Sequence, residues 1–452
     1  MPASRIAALA HVAAGVLVVA AVVLYFLRPA TTPPGFFVDE PSVTLNAACL
    51  DAAGTDEYGA HMPLWFRAFG EYKLPVYIYL QAALFRVIPP SLMAARILSM
   101  LLGLAAVGVL IALARRRDFG APTREPLFGA VAAFVCLLSP WVLVIARFPV
   151  EVTLVPLVVA LQLVCAESLL RRPALRWAIA DGIAVGIGVY VYHPLKIVPL
   201  IHFAFVGIAA LVRIRRDRTL ALSAAVAALV AIVIMEPFIA DLFGSRTSLA
   251  RFHAVGAHVG PASMLRLFFL HFNPRFLFFH GDSNLRHHYG GPFGMLNIIF
   301  LPLGIAGAFE CVRRVRRGDL FAGYLPLLVL ACFVPASVTD DGAPHALRTS
   351  IAFMPIALMS VYGAVLVWNL RARAARAAVI ALVVVALGQA VLGVVRYQTV
   401  YRRQSAGSWL GYDYLARLRQ APANVPLDAH NAGTVFSRLF LVIDRHDLRY
   451  CH

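Results

Sequence analysis

Charged side chains are scarce in this sequence. Asp, Glu, Lys and Arg make up 14% of its 452 residues, where a soluble domain carries ~25%. A soluble globular protein is therefore excluded, and the 61% of hydrophobic residues points to a membrane. Short alternating apolar and polar segments are also missing, which excludes a transmembrane barrel. Cysteine is sparse and scattered: Cys49, Cys136, Cys165, Cys311, Cys332 and Cys451 form no CxxC pair and no Cys/His metal spacing. Four of the six lie in or beside apolar runs, so neither a zinc site nor a disulfide framework is expected. No internal repeat is visible, which argues against a transporter built from paired halves. Acids are nearly absent from the apolar runs. Asp181 and Glu167 stand near the ends of theirs, where solvation is the simplest expectation, and no span carries the mid-helix charge of a proton relay. Acidic residues are outnumbered by basic ones, 23 to 40, for a net charge of +17. In a membrane protein that excess is explained first by positive cytoplasmic loops rather than by nucleic acid.

Long apolar runs are what the sequence has in abundance. They reach about 20 residues, enough to cross the hydrocarbon core as helix. The first, Ala8 to Leu27, exceeds the ~7–15 residues of a signal-peptide core and is read as a retained span. About eleven transmembrane helices are predicted. The expected fold is all-α and integral to the membrane over 1–396, with two long extracytoplasmic loops, about 28–91 and about 236–292. A small extracytoplasmic segment follows over 397–452. Leu74 to Ile88 is apolar but short and flanked by proline, which predicts a helix lying on the membrane surface. Arg clusters at 115–117, 171–172, 213–218, 313–317 and 371–376 fall on alternate loops. The positive-inside rule places all five in the cytoplasm with the N-terminus. The acid-bearing loops and the C-terminal segment then face outward. High Ala and Arg usage points to a bacterial source, so a multi-pass protein of the bacterial inner membrane is expected.

The outward face collects the polar chemistry. Asp39 and Glu40 follow the first span, then Asp51, Asp56 and Glu57, then Glu71-Tyr72-Lys73-Leu74-Pro75. Arg147 and Glu151 share one turn, Tyr192, His193 and Lys196 another. Asp282 to His288 and Asp340 to Arg348 close the set. Carboxylates at a bilayer surface cost free energy unless solvated or paired, so a cluster there marks a candidate site. A carboxylate among cations suits a reaction in which a base takes a hydroxyl proton while Lys and Arg hold a phosphate leaving group. Phosphate on a lipid carrier would sit at this depth.

Several stretches carry a resemblance. Asp39-Glu40, Gly54-Thr55-Asp56-Glu57-Tyr58-Gly59, Pro63, Lys73-Leu74-Pro75-Val76-Tyr77 and Ala95-Arg96-Ile97 resemble the first loop of GT-C glycosyltransferases. Protein O-mannosyltransferases and the aminoarabinose transferases of lipid A are the nearest named groups. Arg147-x-x-x-Glu151 is similar to the second acidic motif of that superfamily. Tyr190-Val191-Tyr192-His193, Gly281-Asp282-x-Asn284-x-Arg286-His287 and His345-Ala346-Leu347-Arg348 are similar to stretches of bacterial members. Together these cover about residues 10 to 360. The resemblance implies a polyprenyl-phosphate sugar as co-substrate, an extracytoplasmic acceptor and inversion at the anomeric carbon. By it, Asp39 is the candidate general base, Glu40 orients the acceptor or steadies the site, and Glu151 is the second acid. Lys73, Lys196, Arg286 and Arg348 would hold the donor phosphate. Asp56, Glu57, Tyr58, Tyr192, His193, Asp282 and His287 would meet the acceptor or the sugar. Glu151 stands where Asp is common, and Leu74-Pro75 where a double proline often stands. Both departures bear on the acceptor class more than on the reaction.

Plainer roles stand beside these. Asp39 has the alternative of a helix-start or solvated acid, and Glu151 that of an i,i+4 ion pair with Arg147. The basic residues have that of headgroup contacts. The aromatics Tyr58, Trp65, Phe66, Phe69, Tyr72, Tyr77 and Tyr79 suit sugar stacking or an interfacial belt. Asp282 to His288 is read as an ordered loop over the lipid phosphate, with a divalent metal as the less favoured alternative because adjacent His287 and His288 do not easily face one ion; no other cofactor is expected. A lipid-linked saccharide carrier without transferase activity is the alternative function. It calls for polar groups through the membrane midplane, which the runs lack.

Overall fold

The computed structural model describes residues 3–250, 253, 259–370, 372–420 and 432–451. Part of the second long loop, Arg371, and the side chains of Tyr412 and Tyr414 lie outside that description. Helices dominate, joined to two short antiparallel β-pairs. Among the described residues, eight helices are long and apolar enough to cross a membrane. A ninth is the pair Pro126–Leu137 and Pro140–Arg147, bent by 64°. Proline causes the break, since Pro140 has no N–H to offer the preceding turn. By length and composition, eight or nine of the expected eleven spans stand among the described residues. Leu175–Gly188 and Phe300–Val315, both read from sequence as spans, are helices of 14 and 16 residues, short of the ~20 a bilayer asks for. Pro75–Phe85 is a separate 11-residue helix.

The helices pack tightly where side chains vanish. An added Cβ at Gly307 would strike the Met359 carbonyl oxygen, and one at Gly363 the Leu303 carbonyl oxygen. Helices Phe300–Val315 and Phe353–Asn369 therefore meet backbone to backbone, as small residues allow in membranes. Two acids expected to be solvated are not. Asp181 is fully buried and accepts from His202 Nε2 at 2.7 Å, while His202 Nδ1 lies 3.1 Å from the Tyr324 hydroxyl. Glu167 is buried between Arg116 and Arg171. A buried carboxylate is tolerated only with partners of this kind.

A second apolar core lies around the Asp39–Ala53 helix. Gly54, at φ 73°, ends that helix in the left-handed conformation glycine favours. The amphipathic Ala432–Arg445 helix lays Phe436, Leu439 and Phe440 into the same core as Leu45 and Cys49. Each such side chain stabilises the contact by ~1.5–3 kcal/mol. Gly35–Phe36 pairs antiparallel with Leu410–Gly411. Cys49 and Cys451, 402 residues apart, form a disulfide, so the expectation of no disulfide is overturned. The other four cysteines are free and buried.

Candidate active site

The Asp39–Ala53 helix starts with two acids, and its geometry gives them different surroundings. Successive helical residues point about 100° apart. The Asp39 side chain is 27% exposed and accepts from Lys73 Nζ at 2.8 Å. Glu40 turns inward. Its carboxylate accepts the Phe37 N–H at 2.7 Å and pairs with Arg96 at 3.1 Å, with neither side chain exposed. Glu40 thus closes the helix start, where the N-terminal dipole end favours an anion.

Lys73 comes from a hairpin. Phe66–Ala68 pairs with Glu71–Lys73 around Phe69 and Gly70, both at positive φ, as a two-residue primed turn requires. Residues two apart on a strand share a face, and Lys73 also reaches Glu71 at 3.3 Å. Leu74 donates its N–H to Glu151 at 2.7 Å, and Pro75 opens the next helix. Burial alone would lower the Lys73 ammonium. The Asp39, Glu151 and Glu71 carboxylates outweigh it and hold the group above its ordinary range, so Lys73 remains a cation.

Glu151 and Arg147 do not face each other. Arg147 donates to the carbonyls of Tyr25, Leu27 and Thr32. The helical turn ends at Arg147, and Phe148 is extended at φ −126° and ψ 125°, so the i,i+4 relation of a helix is lost.

Asp39, Lys73 and Glu151 line one wall of a cavity of about 660 Å³. Tyr192, His193, Lys196, Asp282, Arg286, His287 and Arg348 line the rest. Lys196 donates to the Ser248 carbonyl at 2.8 Å and lies 3.1 Å from His193 Nδ1. The Arg286 guanidinium sits over the Phe37 ring at 4.3 Å, within cation–π range. Arg348 donates to Thr339 Oγ1 at 2.6 Å and to Asp341 at 2.9 and 3.1 Å. The bend at Pro140 supports this last wall, because Trp141 Nε1 donates to the Ala346 carbonyl at 2.9 Å.

Four residues singled out from the sequence lie outside the cavity lining. Glu40 is held by Arg96. Asp56 accepts the N–H groups of Tyr58 and Ala60, each at 2.9 Å, and shapes the loop. Glu57 is buried, bonds Asn46 at 3.0 Å and faces Arg438 at 3.6 Å. Burial pushes its carboxyl up to about 7, against the pull of Asn46 and Arg438. Tyr58 lies under the Arg67 guanidinium. His345 lines the cavity too, although its sequence signal lay only in the His345 to Arg348 motif. Asp282, His287 and His345 each offer a ligand atom, no two farther than 4.8 Å apart.

By sequence, no family model and no curated protein matches the chain. Solved structures do match in three dimensions. ArnT from Cupriavidus metallidurans, bound to undecaprenyl phosphate, aligns over 96% of this chain and 88% of its own, at 16% identity and a TM-score of 0.53. Its apo form aligns over 94% and 83%, at 17% identity and 0.53. The archaeal oligosaccharyltransferase AglB from Archaeoglobus fulgidus, in complex with an inhibitory peptide and a dolichol-phosphate, aligns over 98% of this chain and 59% of its own, at 15% identity and 0.55. The chain therefore shares the fold of these solved structures. At these identities the likeness is one of architecture, and this chain spans under two thirds of AglB.

Proposed function

We propose that the chain is a glycosyltransferase that moves a sugar from a polyprenyl-phosphate donor to an extracytoplasmic acceptor. The observation that carries this reading is the cavity, where Asp39, held by Lys73, is lined together with Lys196, Arg286 and Arg348. Asp39 takes the proton of the acceptor hydroxyl. The freed oxygen attacks the anomeric carbon, the bond from that carbon to the phosphate oxygen breaks, and the configuration inverts. The leaving polyprenyl phosphate gains negative charge, which preorganised cations stabilise. Glu151 steadies the Lys73 strand through Leu74 and adds negative potential beside Lys73. Tyr192, His193, Asp282 and His287 are placed to meet sugar or acceptor. The ArnT and AglB structures carry lipid phosphates, undecaprenyl phosphate on ArnT and a dolichol-phosphate on AglB, which supports a lipid-linked donor here.

The Cys49–Cys451 bond supports an outward cavity, since disulfides persist on the oxidising side of a membrane. The test is radiolabel transfer from single polyprenyl-phosphate sugars to a membrane-extract acceptor. Asp39→Asn is expected to lower transfer by ~10²–10⁴-fold with an unchanged melting temperature. Donor binding without transfer by the native protein, across a broad donor panel, would instead favour a carrier.

A further inference from the structure

The end of the helix bundle opposite the cavity has no part in the proposed chemistry. The span His193–Arg213 starts at the cavity wall and ends 21 residues on, ~30 Å away as helix. The span Leu320–Ser337 runs the other way and ends beside Val338 on the cavity wall. Their far ends are joined, because Arg213 Nη2 donates to the Gly318 carbonyl at 2.6 Å. The Leu320–Ala331 helix packs against both Ile197–Arg213 and Phe300–Val315. Val315 and Phe205 reach Gly323 from those two neighbours, 3.3 and 3.5 Å from the place a Cβ would take. Leu327 and Leu330, four and seven residues further along the same face, are exposed. They leave an apolar furrow on Leu320–Ala331 that opens towards the joined loops.

Arginines crowd those loops. Arg215, Arg216, Arg316 and Arg317 are all exposed, and among the described residues no ion pair reaches them. The neighbouring acids are engaged elsewhere. Asp217 accepts the Leu220 N–H at 2.9 Å, Glu310 holds Arg313 and Arg314, and Asp319 holds Arg171. We propose that this place binds one phospholipid with a net negative headgroup, its phosphate between the two arginine loops and an acyl chain along Leu327 and Leu330. The guanidinium fork matches phosphate oxygens, and basic pockets between transmembrane helices suit anionic headgroups. Exposed Val212 and Val312 supply apolar surface beside the arginines, where the chains leave the headgroup. A zwitterionic headgroup would bring its own cation to four guanidiniums and bind less well. This proposal does not rest on sugar transfer.

Delipidated, detergent-purified protein is titrated with phosphatidylglycerol and, separately, with phosphatidylcholine of the same chains, and bound lipid is counted by native mass spectrometry. About one tightly held phosphatidylglycerol per chain is expected, with phosphatidylcholine weaker. The double variant Arg216→Gln with Arg317→Gln should lower phosphatidylglycerol affinity by ~10-fold or more. Arg373→Gln with Arg376→Gln removes the same charge from another exposed stretch at this end of the bundle and should leave the affinity unchanged. Melting curves show that both variants are folded. Glycerol phosphate, which has the charge and no chains, should not displace the lipid. Equal binding of the two lipids overturns the proposal, as does an affinity unchanged in the first variant or lowered equally in the second. Displacement by glycerol phosphate at equal concentration also overturns it, leaving a free-phosphate site. Failure of every donor to transfer overturns the transferase reading alone, because lipid binding is read without turnover.

Discussion

Glu40 and Arg96 meet at 3.1 Å with both side chains sealed from solvent, 56 residues apart in the chain. Removing one member strands the other as a buried charge. Glu40→Gln is expected to destabilise the protein by about 3–5 kcal/mol. Glu40→Gln with Arg96→Met should recover part of that loss. The recovery is incomplete because Arg96 also donates to the carbonyls of Pro29 and Gly35. Thermal unfolding in detergent checks both. An unchanged melting temperature in the single variant would remove the structural role assigned to Glu40.

Glu57 sets a pH dependence whose sign follows from its burial. Its carboxyl titrates near 4.5 in the unfolded chain and near 7 in the native protein. Between those values the native state holds a proton that the unfolded state has released, so this group's stabilisation is present at low pH and lost as pH rises through 7. Glutamine does not titrate. The melting temperature of wild type minus that of Glu57→Gln should therefore decline steadily from pH 4.5 to 7.5. A difference that rises with pH would contradict the assignment.

The disulfide is expected to hold the second core together. Cys451→Ser, or treatment with a reductant, should lower stability by about 2–4 kcal/mol. Reductant should have no further effect on the variant. Because Gly35–Phe36, just before Asp39, pairs with Leu410–Gly411, transfer activity should fall in step with the melting transition. A free-thiol assay before and after reduction confirms that the bond is the one broken.

The membrane architecture was readable because apolar runs and Arg clusters are local signals that survive folding. Span count was less so. Leu175–Gly188 and Phe300–Val315 are apolar runs whose helices stop short, and a proline broke the third span. Cavity residues such as Asp39, Lys73, Lys196 and Arg348 were legible because they are polar groups close to long apolar runs, where such groups are otherwise rare. Glu40 was not. Which of two adjacent acids faces the cavity depends on Arg96, and nothing within one helical turn announces it. Arg147 and Glu151 misled for the opposite reason, since their spacing suggests a helix that Phe148 interrupts. Cys49 and Cys451 were missed because pairing over 402 residues leaves no spacing signature.

That long-range bond also orders events during synthesis. Cys49 emerges with the first long loop, while its partner follows the last long apolar helix, Arg373–Gln398. The strand that braces Gly35–Phe36 and the helix that covers Leu45 arrive equally late. Until then the helix bearing Asp39 lacks its outer layer. A chain halted before that point would carry every cavity wall but not the brace behind the proposed base, so a prematurely released chain would present the cavity with Asp39 unsupported.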